Sequence, residues 1–396
     1  MISVERAQLD IAEQIAKLTR VTESVPLMDA YDRVCAETIF AEYDLPPFKS
    51  SSMDGYAVIA ADTESAAPKT ILDLDIIGEQ PAGADLGLAL RPATCVRIFT
   101  GAPLPAGADA VVMQEDVKTL AGAIFLEEPV VPGSFVRHAG EDVASGQKII
   151  DSSLKLNERH LTLLAAQGRR IIAVYKRPRV AIITTGSELR AAGLPLRLGE
   201  IYETNGLMLA LLVKKAGGLP INLPHVKDEL PPLLAAIDAA LKCDVVVIVG
   251  GMSVGEHDLV KIALTRKKVQ QKFWRVKVKP GKPFLFSLKN NIPIFGLPGN
   301  PVSAFVTFHL FVKPALELIQ NVTFEERMTS LTASEKLINE DERVHYVRGT
   351  ISKGFVRPSG RQGSHILSSL ATSDCLIRVP GNTTIQPGSK ILCQLL

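Results

Sequence analysis

The sequence predicts a multidomain α/β chain: a three-layer α/β domain with a doubly covered, mostly parallel sheet, a β-rich domain inserted ahead of it, and a small β domain at the end. Three observations carry this. The 396 residues allow roughly two to four domains at 100 to 200 residues each. From residue 177 to 321, uniformly apolar strand-like runs alternate with Gly-containing loops and helical stretches, the pattern of a parallel sheet covered on both faces. Between residues 45 and 144, Pro and Gly make 18 of 100 residues, against roughly 12% on average, and they separate short runs rich in β formers.

Element by element, Ile11, Ile15 and Leu18 recur at helical spacing within 3–20, and a second helix is expected over 27–39. Residues 1–44 with 145–176 are thus expected to form a helical linker domain, with 45–144 inserted into it. The inserted part carries strand-like runs at 56–59, 71–77, 95–99, 110–113 and 123–126, punctuated by PAG, APLPAG and PG turns. Asn157 is a good N-cap for a helix through Leu161, Leu164 and Ala165, with Gly168 at its C′ position. The α/β domain, 177–321, repeats strand, loop and helix: Val180 to Thr184 then TGSEL, Asp244 to Val249 then GGMSVGEHD, Ile292 to Phe295 then GLPGNP, with helices at 204–217 and 228–242. Residues 322–396 return to short alternating strands between Gly/Pro turns, a second small β domain.

Composition excludes several classes. The chain is 46% hydrophobic and 22% charged, with a net charge of +2, so no global field draws it to nucleic acid or an anionic membrane. Apolar runs such as Val245 to Val249 fall far short of the ~20 residues of a membrane helix, and Glu5 and Arg6 interrupt any signal-like start. Five cysteines without a CxxC read as reduced thiols, and the cytoplasm is the expected compartment. The seven dispersed histidines give no transition-metal cage.

The chemistry is expected beyond the carboxyl ends of the α/β strands, where TGSEL, GGMSVGEHD and GLPGNPVS stand. Each loop offers backbone N–H groups at an expected helix start: Ser187 after Gly186, then Gly250, Gly251 and Gly255 in the loop that also carries the candidate ligand-binding Ser253, then Asn300 with Pro301 at N1 after Pro298. Any one loop could be a plain strand-to-helix turn; three at neighbouring strand ends point to a phosphate-bearing ligand.

From Lys261 to Lys282 there are nine basic residues and no acidic one. The alternation Arg275, Val276, Lys277, Val278, Lys279 puts cations on one face of a strand, which a solvated edge strand would also show. PGKP at 280–283 fixes Lys279 and Lys282 beside one another in a rigid turn, which favours an anion site. A nucleic-acid groove is the rival, but the stacking aromatics there are only Phe273 and Trp274.

Acidic residues mark the loops: Asp54 in SSMDGYA, Asp142 in AGEDVASG, Glu188 in TGSEL, Asp228 before its helix and Asp258 in SVGEHD. A phosphate beside several carboxylates needs a hard cation, so a magnesium-bridged site follows. Asp228 could equally be a helix N-cap, and Glu188 could favour a helix dipole; Asp54 and Asp142 have no such local explanation.

In order along the chain, SSMDGYAV, FTGAPLPAGADAVV, GEDV, TTGSEL, ETNGLML, GGMSVGEHD, VKPGKP, GLPGNPVSAF and RQGSHILSSL resemble the molybdopterin molybdenumtransferases, the MoeA family, and gephyrin's C-terminal part is similar too. The resemblance covers essentially the whole chain. It implies a molybdopterin-binding three-layer domain, a C-terminal small β-barrel, and an elongated homodimer in which residues 1–44 with 145–176 serve dimerisation. It further implies insertion of molybdate into adenylated molybdopterin with Mg²⁺-dependent release of AMP, the substrates being small molecules, with an adenylyltransferase as a candidate partner and neither nucleic acid nor membrane. By position, Asp54 and Thr100 match motifs of the inserted domain; Asp142, Glu188, Asp228 and Asp258 match acidic positions around the pterin phosphate and metal. Asp54, Asp142, Asp258 and Glu188 are then the expected catalytic residues, and Glu188, Asp228 and Asp258 the metal ligands. Lys279, Lys282, Pro298, Pro301, Arg348 and Ser364 match positions that hold molybdate and the pterin end. Molybdate is a tetrahedral dianion, so donors such as Lys279, Lys282, Arg348 and Ser364 suit it; tungstate, of nearly equal size and charge, would suit them too. The chain departs from the usual Asp-Asn of the first motif with Lys49 and Ser50, and carries Arg275 where Lys is common. Because Asp54 and Thr100 precede the α/β loops by more than 80 residues, each cleft is expected to be shared between two subunits of a two-fold dimer. Two rivals remain: a related-fold nucleotide or pterin phosphohydrolase, which would not need LPGNP, PGKP and GSH together, and a non-catalytic pterin-binding scaffold, which would not need five intact carboxylates.

Overall fold

The computed structural model describes residues 1–68, 72–251, 259–323 and 328–396. They form two compact units, residues 1–36 with 153–157 and 171–396, and residues 37–152 with 158–170.

In the first unit a six-stranded sheet runs Leu219–Asn222, Arg179–Thr184, Val245–Val249, Ile292–Leu297, Leu285–Lys289, Gln270–Trp274. The first four strands are mutually parallel, and Leu285–Lys289 runs antiparallel between its neighbours. Alternate residues of each strand feed different cores. Val180, Ile182, Val245 and Val247 pack with Leu209, Val213 and the helical run Pro301–Ile319 on one face. Ala181, Ile183, Val246 and Ile248 pack with Leu233, Ile237, Val260 and Ala263 on the other. A strand with both period-2 faces apolar can be satisfied only by cover on both sides, and the sheet is the middle of three layers. The N-terminal helix Val4–Ile15 belongs to the first of these cores through Val4, Ala7, Ile11 and Ile15. Pro301–Ile319 is long and apolar enough to cross a membrane, yet 72% of its apolar 18-residue window is buried inside the fold, as in a core helix.

The helix expected over 27–39 does not form. A 3₁₀ turn, Leu27–Ala30, is followed by Asp32 in the left-handed region (φ 62°), and Cys35 bridges to the strand Ile171–Tyr175. Pro26 and the Asp-Arg turn outweigh the helical spacing of the apolar residues.

The C-terminal segment closes a five-stranded barrel in the order Met328–Ala333, Phe355–Pro358, Val344–Ser352, Cys375–Val379, Lys390–Leu395 and back to the first. Its neighbouring residues again divide: Val347 and Ile377 fill the barrel, while Tyr346 and Leu376 join the α/β core. That shared packing seats the barrel against the sheet domain.

The second unit centres on a six-stranded sheet, Ala110–Met113, Gly55–Val58, Thr94–Ile98, Leu72–Gln80, Ala123–Leu126, Lys118–Leu120. Tyr56 and Val58 face one core, Ala57 and Ile98 another. Gly55 is obligatory in this register, since a Cβ there would lie 1.9 Å from the Val112 carbonyl oxygen. The short helix Glu158–Ala166 ends as expected at Gly168, which has φ 71°. Just before it, Gln167 ties the helix end to Glu42 and Tyr43, accepting from both amides and donating to the Tyr43 carbonyl at 3.0 Å.

Candidate active site

The strands Arg179–Thr184, Val245–Val249 and Ile292–Leu297 are adjacent and parallel, so their carboxyl ends bring Thr185–Glu188, Gly250–Gly251 and Pro298–Pro301 to one edge. Backbone bonds join them: Thr185 N donates to Val249 O at 2.9 Å and Gly250 N to Leu297 O at 3.3 Å. Gly250 has φ 92°, and a Cβ on it would sit 2.2 Å from the Thr185 carbonyl oxygen. Only glycine permits the loops to approach this closely. Ser253 and Asp258, expected in the middle loop, lie outside the described residues.

The TGSEL loop departs from expectation. Ser187 does not open a helix: Leu189–Arg190 is extended and pairs with Ile201–Tyr202, and the next helix is Asn205–Lys215. Gly193, Pro195 and Gly199 lie in the intervening excursion and disfavour helix. Glu188 therefore meets no helix dipole; its carboxylate turns back over Gly186, where a Cβ would be 2.8 Å from Glu188 Oε2. Asp228 is not a helix N-cap either. That position belongs to Glu229, while Asp228 Oδ2 accepts from Ser187 N at 3.1 Å and Asp228 N donates to Ser187 Oγ at 3.2 Å. The reciprocal pair sets Asp228 and Glu188 at the same loop.

Three residues at this edge were not among those expected. Glu203 Oε1 accepts from Gly206 N at 2.8 Å, capping the helix Asn205–Lys215. Asn205 donates through Nδ2 to Gly299 O at 2.7 Å, cross-linking that helix to the Pro298–Pro301 loop. Its Oδ1, like Thr185 Oγ1, is buried without a hydrogen-bond partner among the described residues. Buried acceptors and hydroxyls without partners are uncommon, and here both lie beside the strand ends. The ETNGLML motif, an acid and an amide directly before an apolar helix, carried the signal for two of the three.

The basic segment is also reshaped. In place of one strand over 275–279, Gln270–Trp274 ends at Arg275 (φ 71°), and Val278–Lys279 pairs in parallel with Val344 and His345 of the barrel. The alternation survives as burial: Val276 and Val278 are fully buried, while Arg275, Lys277 and Lys279 are half-exposed. Arg275 and Lys261 both stand over the Trp274 ring, at 4.2 and 4.5 Å from its centroid. Lys282 is pinned by its carbonyl, which accepts from Val276 N and Phe284 N at 3.1 and 3.0 Å, and its side chain is half-exposed. His345, opposite Lys279, is pushed down to about 4, first by burial and then by the Lys279 charge, so it is neutral at pH 7. Asp341, ion-paired with Arg343, is held well below the usual carboxylate range by that guanidinium.

Arg348 is 0% exposed. It donates through Nε and Nη2 to Ser369 Oγ at 3.1 and 3.0 Å, through Nη1 to Gln362 O at 3.2 Å, and through Nη2 to Arg361 O and Gly363 O at 3.0 and 3.1 Å. In this arrangement it shapes the RQGSH loop from behind. Ser364, on that loop, accepts from Asn300 Nδ2 at 3.0 Å, and its carbonyl accepts from Val302 N at 3.3 Å. The loop thereby reaches the Pro298–Pro301 turn, and Ser364 joins the cradle that Arg348 supports.

In the second unit, antiparallel pairing of Gly55 with Ile98 brings Asp54 to Thr100. The Asp54 carboxylate accepts from Thr100 N and Thr100 Oγ1 at 2.8 and 2.7 Å, and these two bonds hold its pKa below the ordinary aspartate value. Asp142 is exposed on a neighbouring stretch of chain, its amide donating to Leu45 O at 2.9 Å.

Comparison with known proteins identifies each part. Residues 2–168 match the MoeA N-terminal region (domain I and II), 181–318 a probable molybdopterin binding domain, and 330–396 the MoeA C-terminal region (domain IV). The chain is 36% identical over 386 residues to the molybdopterin molybdenumtransferase of Haemophilus influenzae, covering 95% of this chain and 94% of that protein. It is 34% identical over 391 residues to molybdopterin molybdenumtransferase 2 of Mycobacterium tuberculosis, covering 96% of each. The crystal structure of a molybdopterin biosynthesis MoeA protein from Pyrococcus horikoshii matches at a TM-score of 0.87 and 30% identity, over 100% of this chain and 99% of that one. This chain belongs to the molybdopterin molybdenumtransferase family, enzymes of molybdenum cofactor biosynthesis.

Proposed function

We propose that the enzyme inserts molybdate into adenylated molybdopterin, with Mg²⁺-dependent release of AMP. The observation that carries this reading is the cradle itself: three loops and the Ser364 turn meet at one sheet edge, where Asn205 Oδ1 and Thr185 Oγ1 are buried without a hydrogen-bond partner among the described residues. The N–H groups of Gly186, Ser187 and Gly250 already donate to Val226 O, Asp228 Oδ2 and Leu297 O, so in this reading Gly186, Gly250 and Gly251 serve the pterin phosphate by letting it approach the backbone closely. The half-exposed Lys279 and Lys282 suit the molybdate dianion, with the Ser364 hydroxyl as a further donor and Arg348 as the residue that positions it.

The residues fit a magnesium ion that keeps water ligands and shares phosphate oxygens. Among the described residues no group of three acidic or imidazole side chains forms a cage, but Mg²⁺ commonly takes only one or two carboxylates beside a substrate phosphate. Glu188 and Asp228, brought to one loop, would be those two, with Asp258 as the third candidate. Bound there, the ion would neutralise charge on the phosphate that leaves with AMP. The Ser187 amide and hydroxyl keep Asp228 oriented toward that task.

Asp54 and Thr100, a preorganised carboxylate and its donor, complete the cleft from the partner subunit of a homodimer in this reading, with Asp142 on the same module. An adenylyltransferase would be the partner that hands over the adenylate. The five free, buried thiols are what a reducing compartment preserves and support a cytoplasmic location. The deciding experiment incubates the purified protein with adenylated molybdopterin, Mg²⁺ and molybdate, and follows AMP and metal-containing pterin together. Stoichiometric appearance of both, abolished by chelation, is expected; AMP release without metal insertion would leave a phosphohydrolase, and neither product would leave a binding protein.

A further inference from the structure

The parallel strands of the α/β sheet begin at the edge opposite the active-site loops, and a cavity of about 460 Å³ lies there. The strand Arg179–Thr184 runs from one edge to the other, so roughly 20 Å of sheet separates this cavity from Thr185 and Gly186. Four connections form its wall: 17–21 after the first helix, 176–178 before Arg179–Thr184, 241–244 before Val245–Val249, and the Asn290–Asn291 turn before Ile292–Leu297. All of them belong to the first compact unit.

Five cations line the cavity, Lys17, Arg20, Lys176, Arg177 and Lys242, against one acid, Asp244. None of the five is in an ion pair among the described residues. Arg177 is half-buried and the other four are exposed. Two more cations flank the cavity: the Arg179 guanidinium donates to Lys242 O at 3.4 Å, and Lys289 directly precedes Asn290.

Local compensation falls short of this charge. Asp244 accepts from the Arg179 amide at 2.7 Å. Glu13, one helical turn before Lys17, forms no ion pair with it, and Asp238 is already paired with Lys267. Residues 324–327, outside the described residues, read FEER and add one net negative charge. Three helical runs end at this edge, at Ile15, Ala240 and Ile319, and each end carries roughly half a negative charge. Those dipoles account for Lys17 and Lys242, which stand two residues past the first two ends. Arg20, Lys176 and Arg177 stand on connecting segments, beyond the last turn in which a cation offsets a dipole. With every acid and helix end counted, about two to three positive charges remain uncompensated.

The cations come from separate segments, so a single carboxylate or orthophosphate meets only some of them, whereas linked phosphate groups set several charges side by side within one small cavity. The guanidinium forks of Arg20 and Arg177 match phosphate oxygens. No aromatic residue lines the cavity among the described residues, so nothing there stacks a base, which disfavours single-stranded nucleic acid. An acidic peptide spaces the carboxylates of one strand face about 7 Å apart, too sparsely to neutralise so compact a cluster. We propose that this cavity binds a linear polyphosphate, free or as the tail of a nucleotide, without recognising the base and independently of the active site.

The test titrates the full chain, with EDTA and at low salt, with tripolyphosphate, ATP, orthophosphate and hexaglutamate by calorimetry, and maps lysine acetylation by mass spectrometry with and without tripolyphosphate. Tripolyphosphate and ATP are expected to bind within about threefold of one another, and orthophosphate and hexaglutamate at least about tenfold more weakly. Lys17, Lys176 and Lys242 should be protected from acetylation. Arg20→Ala combined with Lys242→Ala should weaken tripolyphosphate about tenfold or more while leaving molybdenum insertion unchanged in its absence. Lys282→Ala, in the other site, should leave both the affinity and the protection of Lys17, Lys176 and Lys242 unchanged. Should the double variant not fold, the protection map of the wild-type chain decides. Absence of saturable binding, protection confined to Lys279 and Lys282, hexaglutamate binding as tightly as tripolyphosphate, or a larger preference for ATP would each overturn the proposal.

Discussion

Replacing Arg348 with methionine separates support from contact. The guanidinium makes five hydrogen bonds to four acceptors, Ser369 Oγ and the carbonyls of residues 361, 362 and 363, all between 3.0 and 3.2 Å. Methionine retains much of the buried stem and none of the donors. Each bond from a charged donor contributes about 1.5–3 kcal/mol, but burying the charge costs a large share of that, and the loop carbonyls recover water when the loop opens. The net cost is expected to be about 2–4 kcal/mol, confined to the loop from Ser359 to Ser369 and its contact with the barrel strand. At about 1.4 kcal/mol per factor of ten, that raises the opening equilibrium of the loop roughly 30- to 700-fold. Native-state hydrogen exchange reads this directly at the Ser359 amide, bonded to the Arg348 carbonyl, and at Arg348's own amide, bonded to Gln362 Oε1. Activity should fall with loop order, because Ser364 loses its station against Asn300. Unchanged exchange with lost activity would refute the support role and make Arg348 a direct ligand of the substrate.

Thr100→Ala removes one of the two donors on Asp54, so the Asp54 carboxyl should titrate upward toward an ordinary aspartate in a ¹³C-detected pH series; as a group with a depressed folded pKa, its favoured charged form is the one present above that pKa and lost as pH falls through it. Asp258→Asn and Asp142→Asn should each fold normally and lose on the order of 10²-fold in AMP release, and wild-type turnover in both at saturating Mg²⁺ would remove them from the machinery. Lys282→Ala should raise the molybdate requirement more than it weakens pterin binding, followed through Trp274, whose ring is in contact with Lys261 and Arg275; equal losses would mean one undivided site. Mixing Asp54→Asn with Asp258→Asn under verified subunit exchange should restore about a quarter of wild-type activity, since half the dimers are mixed and each then holds one intact cleft; a mixture that stays inactive would place Asp54 in its own chain's cleft.

Much of the α/β domain was legible because its signals are local. Val180 to Ile183 and Val245 to Ile248 are apolar at every position, and only a strand between two covering layers buries both faces. Gly168 and the apolar face of Val4–Ile15 are likewise short-range signals, set by backbone sterics and helical period. Where the reading failed, the competing signals were also local and were underweighted: Gly193, Pro195 and Gly199 after TGSEL, and Pro26 with the Asp32 turn before the expected second helix.

The sequence by itself determined the main strands and helices of the α/β domain, which of their faces are apolar, and which loops end at the carboxyl edge, because those depend on residues within a few positions of one another. Only the tertiary structure decided which polar groups meet. Asp228 reaches Ser187 across 41 positions and Asn205 reaches Gly299 across 94. Arg348, which by its charge reads as an anion ligand, is enclosed by the carbonyls of a loop 13 to 15 residues on and becomes that loop's support. A side chain's donor capacity is written in its chemistry, but whether a ligand or the backbone uses it depends on sheet order and barrel closure, which bring distant carbonyls within 3 Å or leave the group facing water.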